Sequence, residues 1–197
     1  MKLKFLYILI FTSLIIASCD TFSTRTPDSP TQGNTSYKPA TSIDILIDNL
    51  KLSMTNNDLN IYYSMFPELQ DSIEYVFTPS NNTIANYADI FKDWTVEKEK
   101  RYFNNFVAEI NKNVKSNFIL TLTSQVDYPN YSSIILKYNA FYPRTNKQSI
   151  NLLGTSQLDL IKTQKGIWKI SKWIDNPASD LVDSTSTWSL LKGIYSY

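Results

Sequence analysis

At 197 residues, with 43% hydrophobic and 14% aromatic residues, the chain has enough apolar material for one ordinary domain with appendages, and its composition is not that of a disordered protein. Its 19 Lys and Arg against 18 Asp and Glu leave neither a basic excess nor a basic run for a nucleic-acid footprint. One cysteine and no histidine exclude an intrachain disulfide, a Ser-His-Asp or Cys-His mechanism, and a zinc site built from Cys and His.

The chain opens with a short basic stretch carrying Lys2 and Lys4, then a nearly unbroken apolar run from Phe5 to Ile16, then Ile16-Ala17-Ser18-Cys19. That order is the n-region, h-region and small-residue cleavage site of a secretory signal, and the run is shorter than the ~20 residues a spanning helix needs. Ile16, Ala17, Ser18 and Cys19 resemble the bacterial lipobox at all four positions. The resemblance implies a signal peptide at 1–18 that is cut before Cys19, and a diacylglycerol thioether on Cys19. It places the mature domain in the cell envelope, outside the cytoplasm and anchored to a membrane, inner or outer. Residues 20–40 are dominated by Ser, Thr, Pro, Asp, Asn, Gln and Gly. With the lipidated Cys19 they read as a flexible polar tether at 19–40, of span ~25 Å.

The domain is expected over 41–197. Thr41 or Ser42 can cap a helix whose face is Ile43, Leu46, Ile47 and Leu50, with Asp44 in its first turn. After Asn56-Asn57, Asp58 can cap a second, short helix presenting Leu59, Tyr62, Tyr63 and Phe66, closed by Pro67. Ile73 to Phe77 reads as a weak strand ended by Pro79, and Ile84, Tyr87, Ala88 and Phe91 restore helical spacing. Thr95 caps the next helix, with Glu97 and Glu99 in the first turn where the helix dipole favours them, and Val96, Phe103, Phe106, Val107 and Ile110 inward.

From Asn117 the period becomes two. Phe118, Leu120, Leu122, Val126 and Tyr128 are expected on one face, with Thr121, Thr123, Gln125 and Asp127 on the other. Pro129-Asn130 turns the chain into a strand over 134–142, and 143–147 turns it again. A third long strand over 149–161 carries Gly154 as an expected bulge, and Gln164-Lys165-Gly166 leads into a fourth over 167–175. Residues 176–186 read as loop, and Trp188, Leu191 and Tyr195 as a short closing helix. Long neighbouring strands joined by tight turns imply an antiparallel meander.

Helices followed by a curved antiparallel sheet of about four long strands is the order of the NTF2-like, cystatin-like α+β architecture. Two segments carry the likeness: Leu59-Asn60-Ile61-Tyr62-Tyr63 after the Asn-Asp break, and Gly166-Ile167-Trp168-Lys169-Ile170 running on to Trp173 and Asp175. The chain also resembles a group of bacterial lipoproteins with a Trp and acidic residues ahead of an aromatic helix, as in 94–106, and a late Trp-x-x-Leu-Lys, as in 188–192. The resemblance implies an α+β cone with N-terminal helices packed in the concave face of the sheet.

The chemical vocabulary is thin. No Gly-rich phosphate loop is present, and Asp175, Asp180 and Asp183 lack the spacing of a calcium loop and read as solvated loop acids. No catalytic residue, metal or cofactor is assigned. Tyr87, Phe91, Trp94, Phe103, Phe106 and Trp173 are the candidate lining of a pocket, weighed against a plain aromatic core. The resulting expectation is a membrane-anchored, non-enzymatic envelope lipoprotein binding a small apolar ligand or a protein partner. Two alternatives stand beside it. One is an acid–base enzyme of the ketosteroid-isomerase or polyketide-cyclase type, with Asp89, Tyr87 and Tyr102 inward. The other is a purely structural or assembly module.

Overall fold

A computed structural model describes residues 37–178 and 186–197. The expected signal peptide and lipobox, residues 19–36 of the expected tether, Asp180 and Asp183 lie outside the described residues.

Helix α1 (Ile43–Asn56) begins where Ser42 Oγ accepts the Ile45 N–H, and it ends at Asn57, whose left-handed φ of 55° stops the helix. Asp58 then accepts the Ile61 N–H and starts α2 (Leu59–Ser64). A 3-10 turn at Leu69–Asp71 leads to the short strand β1 (Val76–Thr78). Helix α3 (Asn81–Phe91) and helix α4 (Val96–Glu109, capped by Thr95) follow. The long strands are β2 (Asn117–Tyr128), β3 (Tyr131–Arg144), β4 (Lys147–Lys162) and β5 (Trp168–Pro177), and α5 (Trp188–Tyr195) closes the chain with Thr187 as its cap.

The sheet order is β1-β5-β4-β3-β2. The four long strands run antiparallel in sequence, and β1 adds a fifth strand parallel to β5, so five strands stand where about four were expected. Register breaks at Leu122/Ser124, Tyr142/Arg144 and Asp159/Leu160 bend the long strands, as bulges do. The helices lie in the resulting concavity. Leu46, Leu50, Met54, Tyr62, Phe103 and Phe106 meet Leu136, Tyr138, Leu158, Ile170 and Trp173 of the sheet in one buried core.

Four local expectations are corrected. The extra residue Thr123 shifts the pleat of β2. Gln125 therefore pairs with buried Ile134 and Asp127 with buried Ser132, while Val126 and Tyr128 face outward at 51% and 59% exposure. A one-residue slip inverts every later side chain, and the period-two reading had no signal for it. Gly154 is no bulge. It pairs in regular register with Tyr138, and a Cβ there would lie 2.3 Å from Tyr138 Oη and 2.6 Å from the Asn176 carbonyl oxygen. On α3 the inward positions are Thr83 and Phe91, with Ile84 and Ala88 exposed, because the backbone breaks from helix at Tyr87 (φ −136°, ψ 24°). The residues just before α1 belong to the fold: Ala40 is buried, its carbonyl accepts the Trp168 N–H, and Asn49 Nδ2 donates to the Lys38 carbonyl.

Candidate functional site

Two apolar stripes in the cone are each interrupted by one charge. On α4, Glu99, Tyr102, Phe103, Phe106 and the following Ile110 recur at helical spacing, and all five are buried. On α5 the stripe is Trp188, Leu191, Lys192 and Tyr195, and Lys192 is wholly buried. Packing α5 against α4 brings the charges together. Lys192 Nζ lies 2.8 Å from Glu99 Oε1 and 2.9 Å from Oε2, with neither side chain reaching solvent.

Desolvating two charges is costly unless every remaining lone pair finds a partner. Glu99 meets that condition. It accepts from Tyr62 Oη at 2.6 Å, Tyr75 Oη at 2.8 Å and Trp94 Nε1 at 2.7 Å as well as from Lys192. The ammonium group sits 3.7 Å from the Phe77 ring centre and 4.0 Å from that of Trp173, within cation–π range of both. Burial lowers the Lys192 pKa to about 8, with Glu99 and then Asp175 pulling it back up. Burial also holds the Tyr62 and Tyr75 hydroxyls well above the usual tyrosine range, reinforced by Glu99.

A second buried acid completes the interior. Asp175, at the end of β5, accepts from Tyr138 Oη at 2.8 Å and from the backbone N–H and hydroxyl of Ser189 at 2.6 Å each. Burial raises its pKa against these donors. Tyr138 Oη also accepts the Trp188 N–H, and Trp188 Nε1 donates to Tyr102 Oη. Asp175 is thus wholly buried, not the solvated loop acid the sequence suggested. Gly154 makes this possible, since only a missing Cβ leaves room for the Tyr138 hydroxyl on its way to Asp175.

The sequence-selected aromatics divide. Phe103, Phe106 and Trp173 are wholly buried in the packed core, so they line no open pocket. Tyr87 is half-buried and packs on α5: a Cβ on Gly193 would lie 2.9 Å from its ring. Phe91 and Trp94 do border a concavity, an open groove of about 960 Å³ at the mouth of the cone, with Tyr75 and Phe77. Glu68, Glu74, Asp93 and Glu97 also line it, against Lys92 and Lys100. Of the trio considered for acid–base work, Asp89 is exposed, Tyr87 packs on α5 and Tyr102 is buried, so they form no constellation. Glu99 and Lys192 were missed as site residues. Their signal was an acid and a base each placed on an apolar stripe.

Among the described residues, no group of three His, Cys, Asp or Glu side chains is arranged to hold a metal, and no helix is long and apolar enough to cross a membrane.

No protein-family model and no curated protein sequence matches the chain. Solved structures do. A candidate dehydratase of the NTF2-like family from Streptomyces avermitilis superposes with a TM-score of 0.53 over 71% of this chain and 95% of its own, at 11% identity. The fold is NTF2-like. A candidate scytalone dehydratase from Novosphingobium aromaticivorans gives 0.55 over 74% and 89%, at 11% identity. A ketosteroid isomerase-like protein from Erwinia carotovora atroseptica gives 0.52 over 71% and 96%, at 7%. At such identities the NTF2-like likeness is one of backbone architecture. In this NTF2-like cone the concave face is filled by α5 and by side chains of the sheet and helices.

Proposed function

We propose that the chain is a lipid-anchored envelope lipoprotein with no catalytic role, whose NTF2-like domain engages a protein partner through the groove at the mouth of the cone. One observation carries the reading: the cone is packed shut. Glu99 accepts from four donors and Asp175 from three, all of them the protein's own, and Trp173, Trp188, Tyr102 and Phe106 fill the space a small apolar ligand would need. At Glu99 the four donors occupy the lone pairs that acid–base work would need. The groove remains, with aromatic walls and an acidic excess at its rim. That suits a partner segment carrying basic and apolar side chains. Support for the anchor comes from the lipobox residues Ile16, Ala17, Ser18 and Cys19. A lipid anchor fits a module that presents a binding surface near the bilayer.

The test places a photo-cross-linking residue at Leu69, which is 98% exposed beside the groove, and at Tyr128, which is exposed on β2. In intact envelopes a discrete partner should cross-link from position 69 and not from 128. Cross-linking from neither position, or equally from both, contradicts the reading.

A further inference from the structure

The centre of the cone has the chemistry of an ammonium receptor, and its rings and carboxylate come from elements other than the helix that supplies the ammonium. Phe77 on β1 and Trp173 on β5 are register partners on adjacent parallel strands, and both rings face Nζ of Lys192, at 3.7 and 4.0 Å. Trp94 and Tyr102 stand at 5.8 Å each. Glu99 supplies the counter-charge from α4. Of these groups, Glu99, Trp94 and Trp173 are anchored by elements other than α5, whereas Tyr102 accepts its hydrogen bond from Trp188 of α5. Tyr62, Tyr75 and Trp94 hold the Glu99 carboxylate, and Ser156 Oγ accepts the Trp173 Nε1–H at 2.9 Å. The anchors of Glu99, Trp94 and Trp173 therefore do not involve the Lys192 side chain. An ammonium has three N–H donors. Here two are matched by the Glu99 oxygens, and the aromatic faces surround the remainder.

We propose that the cone is a receptor for a primary alkylammonium group and that Lys192 is its tethered occupant, so that a free alkylammonium binds there once the lysine side chain is removed. The claim does not depend on the partner-binding groove or on the lipid anchor.

Lys192→Ala deletes Cγ, Cδ, Cε and Nζ, which together are the atoms of n-propylammonium. The thermal midpoint of the full-length variant is followed against n-propylammonium chloride, with 1-propanol as the uncharged isostere and potassium chloride matching the ionic strength. Saturable stabilisation of about 5–10 °C at a ligand concentration ~100-fold above Kd is expected. Propanol should give little, and Lys192→Ala/Glu99→Gln should give no saturable response to propylammonium. Equal responses to propylammonium and propanol would show a plain apolar cavity and overturn the proposal, as would no response from a folded Lys192→Ala. If that variant does not fold alone, the readout becomes recovery of native tryptophan emission when it refolds in propylammonium. Failure to recover, under conditions where wild type refolds, also overturns it.

Discussion

Removing one member of the Glu99–Lys192 pair should cost far more than its single contact suggests. Glu99→Gln keeps the shape of the side chain but leaves the wholly buried Lys192 ammonium without its hydrogen-bonded counter-charge, Asp175 being the favourable charge that remains, and breaking such a pair costs ~3–5 kcal/mol. Lys192→Met leaves the carboxylate with its three other donors, from Tyr62, Tyr75 and Trp94, so its cost should fall near the lower end, ~3 kcal/mol. Against a total stability of ~5–15 kcal/mol, either variant is a severe lesion. The double variant removes both charges of the pair. It should be more stable than the two single losses predict by about 2–3 kcal/mol, the upper range of coupling for residues in contact. Urea unfolding followed by tryptophan fluorescence measures all four corners of the cycle, with an unchanged urea slope as the check that compactness is preserved. Additivity within ~0.5 kcal/mol would show that the two groups are not coupled. Single losses below ~1 kcal/mol would place the pair in water, where such bridges contribute little.

Gly154→Ala should lose about 2–4 kcal/mol in chemical unfolding, because its Cβ collides with Tyr138 Oη and displaces it from Asp175, combining overpacking with the loss of a charge-assisted hydrogen bond. The buried hydroxyls of Tyr62, Tyr75, Tyr102 and Tyr142 have pKa values raised by burial. Their contribution is therefore fully present below pH 10 and is lost as pH rises beyond it, since the unfolded chain ionises first. Tyrosinate absorbance from these four should appear together with unfolding above pH 10, and Tyr75→Phe should make the alkaline fall in stability shallower. Titration of all tyrosines in the still-folded protein would contradict their burial. For the anchor, Cys19→Ser should accumulate as an unprocessed precursor that takes up no labelled fatty acid, whereas normal maturation of that variant would remove the lipobox reading.

Much of the architecture was legible because it rests on local chemistry. Ser42, Asp58 and Thr95 act as the caps their residue types suggested, and the change from helical to period-two spacing at Asn117 marks the start of the long strands. What escaped depended on contacts distant in sequence. Thr123 inverts the end of β2, and nothing local to Leu122-Thr123-Ser124 announces a bulge. Gly154 reads as a break in a strand, and only the passing Tyr138 ring reveals it as clearance. Glu99 has two readings in a first helical turn, as a dipole partner exposed to water and as a buried acceptor. Lys192, 93 residues away, decides between them. The Trp94–Phe106 segment and the late Trp-x-x-Leu-Lys were visible as patterns. Their shared purpose emerged when Trp94, Glu99 and Lys192 met in one hydrogen-bonded group.

The most direct test of a closed cone centred on Lys192 is the NMR signature of that one side chain. Nζ lies 3.7 Å from the Phe77 ring centre and 4.0 Å from that of Trp173, so ring currents should move the Lys192 ε-methylene protons well upfield of every other lysine. Its ammonium protons should exchange slowly and show cross-peaks to both rings. Random-coil ε-proton shifts, with rapid exchange of the ammonium protons, would mean that the lysine is in water and the cone is open.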